Sequence, residues 1–189
     1  MVFIIGLGGI TCSGKSTMCS ELSKYLSTQY NKIRVIDLDS YARDENDPNH
    51  VHLTELNHKD WESLTSLHVD QFVSDIKSVI NDNSNDILII EGFLIYSIDE
   101  IKSIFNLSYY FDLDFDECRQ RRNRRTYNPP DPLDYFDKHV WPSYLIAKEK
   151  AFNQIKNLIH IDSTQSFDTI LQRIINDINN EIKNVEQLS

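Results

Sequence analysis

The chain has 189 residues, 40% of them hydrophobic and 25% charged, with five glycines and five prolines. That size and balance suit one folded domain that buries a core without disulfides or structural metal, and they exclude collagen-like, low-complexity and largely disordered architectures. With 19 basic against 29 acidic residues the net charge is −10, which repels phosphate backbones and anionic membranes, so neither nucleic acid nor membrane is an expected partner.

The apolar run Val2–Leu7 reads as the first strand. No cationic segment precedes it and no apolar run is long enough to span a bilayer, so neither a signal peptide nor an anchor is expected. It leads into Gly9-Ile10-Thr11-Cys12-Ser13-Gly14-Lys15-Ser16, a complete G-x-x-x-x-G-K-S/T motif, and then into the helical pattern Ser16–Leu26. Strand, glycine-rich turn and helix form the context in which such a loop turns backbone N–H groups toward phosphate oxygens. Lys15 then reaches the β/γ-phosphates and the Ser16 hydroxyl can ligand Mg²⁺.

The second strand, Arg34–Asp37, runs into Asp37-Leu38-Asp39. Period two puts both carboxylates on one side, and either could orient an acceptor hydroxyl and take its proton. The polar stretch Ala42–Asp60 reads as a long functional or mobile loop. Its histidines, His50, His52 and His58, match no common metal spacing. A helix is predicted over Val69–Ile80. The strand Ile87–Glu91 ends on an acid followed by Gly92, in the place of a Walker-B carboxylate that helps hold Mg²⁺.

A helix over Ile98–Phe105 and a strand over Tyr109–Leu113 follow. The helical pattern Phe115–Arg125 places five of the chain's eight arginines within seven residues. Phosphoryl transfer favours guanidinium groups around the moving charge, and helical spacing points Arg121 and Arg125 the same way. We therefore expect an arginine lid over the nucleotide, ending in the stiff segment Thr126–Leu133. Tyr144–Ile155 and Phe167–Ile182 read as helices flanking the strand Leu158–Ile161. Trp141-Pro142, His68, His139 and His160 read as packing residues. Strands alternating with helices predict a single α/β domain over residues 1–189: a five-stranded parallel sheet, helices on both faces, and a small arginine-rich lid at about 117–133.

Several blocks resemble the nicotinamide riboside kinases of the uridine-kinase-like P-loop group. They are Phe3-Ile4-Ile5-Gly6 running into the phosphate loop, Ile89-Ile90-Glu91-Gly92-Phe93-Leu94, and Glu117–Tyr144 with Tyr127-Asn128-Pro129-Pro130-Asp131 and Tyr135-Phe136-Asp137-Lys138-His139-Val140-Trp141-Pro142. The resemblance implies ATP held by Gly9, Ile10, Thr11, Cys12, Ser13, Gly14, Lys15, Ser16 and Thr17, with Arg121, Arg125 and Asp162-Ser163-Thr164 around the nucleotide. It implies Asp39, not Asp37, as catalytic base with Lys15 beside it, and Mg²⁺ near Ser16, Asp39 and Glu91. The nucleoside would meet Asp39, Ser40, Tyr41, Arg122, Asn128, an aromatic-plus-acid pair Trp61-Glu62, and Tyr127 as the second stacking wall. A one-residue shift would make that pair Asp60-Trp61. Family members often carry Tyr-Asp at the pair and a small polar residue at Asp37.

The implied reaction is ATP-dependent phosphorylation of the 5′-hydroxyl of nicotinamide riboside, with nicotinic acid riboside as a further acceptor. An acidic protein with two aromatic walls suits a cationic ring, each wall adding about 0.5–2 kcal/mol. A kinase for another nucleoside such as uridine, and a catalytically silent nucleotide-gated binding protein, are the alternatives. Joint retention of Lys15, Ser16, Asp39 and Glu91 speaks against the silent one. Cys12, Cys19 and Cys118 form no C-x-x-C pair, which reads as a reducing compartment, so a cytoplasmic or nuclear monomer is expected.

Overall fold

A computed structural model describes residues 2–82 and 84–188. Its principal strands are β1 (Phe3–Gly9), β2 (Ile33–Asp37), β5 (Ile87–Glu91), β6 (Leu107–Asp112) and β7 (Ile159–Asp162). They form one parallel sheet in the order β2-β5-β1-β6-β7. The helices are α1 (Lys15–Leu26), α2 (Val69–Asp82), α3 (Phe115–Asn123), α4 (Trp141–Gln154) and α5 (Phe167–Leu188). A short antiparallel ribbon joins β3 (His52–Leu53) to β4 (His58–Lys59).

Strand alternation divides the core in two. Phe3, Ile5, Leu7, Ile87, Ile89, Tyr109 and Phe111 pack on one face against α1 and α5, through Leu22, Leu26, Ile174 and Ile178. Ile4, Leu88, Ile90 and Tyr110 pack on the other against Phe72, Ile76, Tyr144 and Ala151 of α2 and α4. Gly8 of β1 lies under the Tyr96 ring so closely that a Cβ there would fall 2.3 Å from it. The five-stranded α/β prediction therefore holds.

The predicted helix Ile98–Phe105 is instead a chain of turns. Ile101 N–H donates to Ile98 O at 3.3 Å and Ile104 N–H to Ile101 O at 3.2 Å, which buries Ile98 and Ile101 without a helix. Asn106 is already tied to β1: its N–H donates to Ile4 O at 2.9 Å and its side chain accepts from Ile4 N at 2.8 Å, so the strand must begin at once. The 42–60 segment is ordered by side-chain-to-backbone turns at Asp44 and Asp47 and by an Arg43–Asp47 ion pair of 3.0 Å.

The parallel register aligns Asp37 with Glu91, Glu91 with Leu7, and Asp112 with Asp162. The strand-end acids and the loop after β1 thus share the carboxyl edge of the sheet, where open α/β sheets bind ligands.

Candidate active site

The loop Ile10–Gly14 closes over the N-terminus of α1. Gly14 has φ +90°, and nothing lies within 4 Å of the Cβ that another residue would carry there. No side chain caps α1 and no acid sits in its first turn, so its leading N–H groups are free to serve an anion. Lys15 is 8% exposed, and its Nζ donates to Ile10 O at 2.7 Å, an oxygen shared with the Ser13 hydroxyl at 2.7 Å. Burial lowers the Lys15 pKa, while Asp39 and Glu91 pull it back up.

The acids gather opposite. Ser16 Oγ donates to Glu91 Oε2 at 3.0 Å. Burial and then the Asp37 charge push the Glu91 pKa up to about 7, against Ser16 and Lys15. The Asp39 carboxyl is also raised, first by desolvation and then by Asp37. Asp39 does not follow β2 at period two, because the strand stops at Asp37 and a 3₁₀ turn, Leu38–Tyr41, begins. Asp37 caps that turn by accepting the Asp39 N–H at 2.9 Å, whereas Asp39 lines the cavity. The turn separates the two acids into a structural and an open one.

That cavity, of about 250 Å³, is lined by Thr11, Cys12, Gly14, Lys15, Ser16, Thr17, Asp39, Trp61, Glu62, Glu91, Arg122, Arg125, Tyr127 and Asn128, among others. Phosphate loop, acids and the expected aromatic pair thus share one space. Its far wall is an ion cluster. Arg122, 6% exposed, reaches Asp131 at 2.7 and 3.3 Å and Glu62 at 3.3 Å, and its guanidinium lies 4.5 Å from the Tyr127 ring centroid. Burial opposes the Arg122 charge, but Asp131 and Glu62 more than offset it. Burial raises the Glu62 pKa, with Arg122 opposing. Tyr127 leans on the phosphate loop, its hydroxyl 3.6 Å from Cys12 Sγ. The Trp61 indole Nε1 is buried without a protein partner.

Glu62, not Asp60, presents its carboxylate to the cavity, since Asp60 turns to His139 at 2.7 Å. Several expected residues lie elsewhere. Ser40 donates to Asp37 O at 2.6 Å, and Tyr41 turns into the core against Phe72 and donates to Asp75 at 2.7 Å, so the 3₁₀ turn carries both off the cavity. Helix α3 ends at Asn123, so Arg121 and Arg125 do not share a helical face. Arg125 lines the cavity, while Arg121 spans Cys12 O at 3.4 Å and Ser163 O at 3.2 Å and pairs with Glu117 at 2.6 Å. Arg121 thereby ties the phosphate loop to the Asp162-Ser163-Thr164 turn, which lies outside the cavity. There the Asp162 carboxylate accepts from Thr164 N at 2.9 Å. Asp131 is the functional residue that the sequence reading missed, although it stands in the resembling block.

A family model described as an AAA domain matches residues 5–142. Nicotinamide riboside kinase 1 of Homo sapiens is 30% identical over 193 residues, covering 95% of this chain and 94% of that protein. The Mus musculus protein of the same name is 29% identical over 194 residues, covering 96% of each. The structure of deoxyadenosine kinase from M. mycoides with bound dATP has a TM-score of 0.55 at 16% identity, covering 94% of this chain and 100% of that one, a likeness of fold. With the phosphate loop, the strand-end acids and the aromatic-acid pair in one cavity, and relatedness running over the whole length, the chain belongs to the nicotinamide riboside kinase family.

Proposed function

We propose that this enzyme transfers the γ-phosphoryl group of ATP to the 5′-hydroxyl of nicotinamide riboside, giving nicotinamide mononucleotide, a step of pyridine nucleotide biosynthesis. The observation that carries the reading is the single cavity, in which Lys15 and Ser16 stand with Asp39 on one side and Trp61, Glu62 and Tyr127 on the other. Asp39 orients the 5′-hydroxyl and takes its proton as the new O–P bond forms and the bond to the bridging oxygen of ADP breaks. Lys15, the α1 N-terminus and Arg125 stabilise the charge in transit. Trp61 and Tyr127 flank the cationic ring, and Glu62 accepts from ribose hydroxyls. The Arg121-bound turn Asp162-Ser163-Thr164 serves the nucleotide base.

The donor set fits Mg²⁺. Ser16 Oγ and the Glu91 carboxylate are hard oxygens 3.0 Å apart, and the raised Glu91 pKa marks negative charge for a cation to offset. Among the described residues no group of three His, Cys, Asp or Glu side chains is placed to hold a metal. Mg²⁺ bound mainly through phosphate oxygens and water needs none. Ser16, Glu91 and Asp39 would hold it, and it would neutralise phosphate charge.

A cytoplasmic monomer fits the three free cysteines, all buried. No helix among the described residues is long and apolar enough to cross a membrane. The test is turnover of nicotinamide riboside against uridine, with ATP and Mg²⁺ held constant. Faster use of nicotinamide riboside is expected. Equal or faster use of uridine would overturn the acceptor, and no ATP turnover with any riboside would revive a silent binding protein.

A further inference from the structure

Behind the cavity lies a set of buried contacts that the reaction does not use. The Asp60 side chain is 11% exposed, and its Oδ1 accepts from His139 Nε2 at 2.7 Å and from the Glu62 N–H at 3.0 Å. The Asp60 N–H donates to Val51 O at 2.9 Å, and its carbonyl pairs with His50 Nε2 at 2.9 Å. The next N–H, that of Trp61, donates to the Tyr135 hydroxyl at 3.1 Å, which reaches back to Lys59 O at 3.3 Å. The His50 ring stands edge-on to Trp61, centroids 4.3 Å apart. None of His50, Asp60, Tyr135 and His139 lines the cavity.

These contacts converge on the three residues that carry the acceptor pair. His139 belongs to a π-type turn, Phe136–Val140, and Tyr135 immediately precedes it, so both address the 59–62 segment from the far end of the lid. Glu62 is consequently gripped at both ends. Its N–H is fixed by Asp60 and His139, and its carboxylate by Arg122 and Asp131, all anchored in the 122–139 stretch.

We propose that Asp60 and His139 are positioning residues for the acceptor: they set the backbone of Trp61-Glu62 so that ring and carboxylate meet the nucleoside, and they leave the nucleotide side untouched. Asp60 Oδ1 is the joint, because one oxygen ends both the His139 contact and the turn that starts Glu62. Losing His139 frees that turn, and a misplacement of about 1 Å in a positioning group costs up to about 100-fold.

This inference rests on the nicotinamide riboside reading. The experiment measures kinetics of His139→Ala, His139→Gln, Glu62→Ala and the double variant, varying nicotinamide riboside and ATP separately. His139→Ala is expected to raise the riboside KM about 10- to 100-fold, with the ATP KM and kcat within about twofold. His139→Gln, whose amide can still donate to Asp60, recovers most of the loss. Glu62→Ala/His139→Ala is no worse than Glu62→Ala alone, because His139 acts through Glu62. An unmoved riboside KM, an equal rise for ATP, or additive losses in the double variant would each overturn the proposal. Where His139→Ala does not fold, Asp60→Asn reads the same split, and an unchanged riboside KM in it overturns the proposal equally. Absence of wild-type turnover with nicotinamide riboside refutes the acceptor assignment, whereas normal wild-type turnover beside an unmoved variant KM refutes the positioning role alone.

Discussion

Arg122→Met keeps the length and apolar stem of the side chain and removes only the guanidinium. It leaves the carboxylates of Glu62, 12% exposed, and Asp131, 23% exposed, without the cation they share. Stranding a buried charge by removing its partner costs about 3–5 kcal/mol, and the partial exposure of Asp131 places this case near the low end, about 3 kcal/mol. For a chain of this length about 2–4 °C of Tm accompanies each kcal/mol, so a fall of about 6–12 °C is expected. The pH dependence has a definite sign. Burial raises the Glu62 pKa and Arg122 opposes that, so the variant raises it further. An acid raised in the folded state contributes stability below its unfolded pKa and loses it as pH rises through the folded one. The deficit is therefore largest near about pH 8 and shrinks toward about pH 5. Scanning calorimetry of wild type and variant across that range measures both quantities, and Arg122→Met/Glu62→Gln should regain part of the loss. A deficit below about 2 °C at about pH 8, or one that widens as pH falls, would refute the reasoning.

Asp39→Asn is expected to lower kcat by at least about 100-fold while ATP affinity, measured by calorimetric titration, stays near wild type. Asp37→Asn weakens the cap of the Leu38–Tyr41 turn and costs about 1 kcal/mol of stability with a much smaller kinetic effect; the reverse ranking would exchange their roles. Because the Glu91 pKa stands at about 7, the Mg²⁺ concentration giving half-maximal activity should rise as pH falls below that value, and Glu91→Gln should flatten the dependence. A pH-independent Mg²⁺ requirement in the wild type would remove Glu91 from the metal site.

The parts of this molecule that were legible in the sequence are those whose chemistry lies in short spacing. Gly9 to Ser16 and Glu91 needed only a strand before the loop and an apolar run before the acid, and the sheet supplied both. The five strands were legible because each is a brief apolar run buried on both faces. Tyr41 was misjudged because a single 3₁₀ turn, invisible in its composition, rotates it toward Asp75. Ile98–Phe105 has helix-like spacing, but the anchoring of Asn106 to Ile4 leaves no room for the helix. Arg121 was read as a nucleotide contact, yet the backbone carbonyls it finds at Cys12 and Ser163 come together only after folding. The Asp60–His139 contact spans 79 positions, beyond the reach of any local pattern.

Lys15 and Ser16 each already hold a partner inside the protein, the Ile10 carbonyl and Glu91. Incoming phosphate and cation must take these two groups over by exchange, so the affinity that a titration records is a difference between two sets of contacts of similar strength. Such a site grips its triphosphate with moderate tenacity and lets the spent diphosphate go readily, which favours turnover over retention.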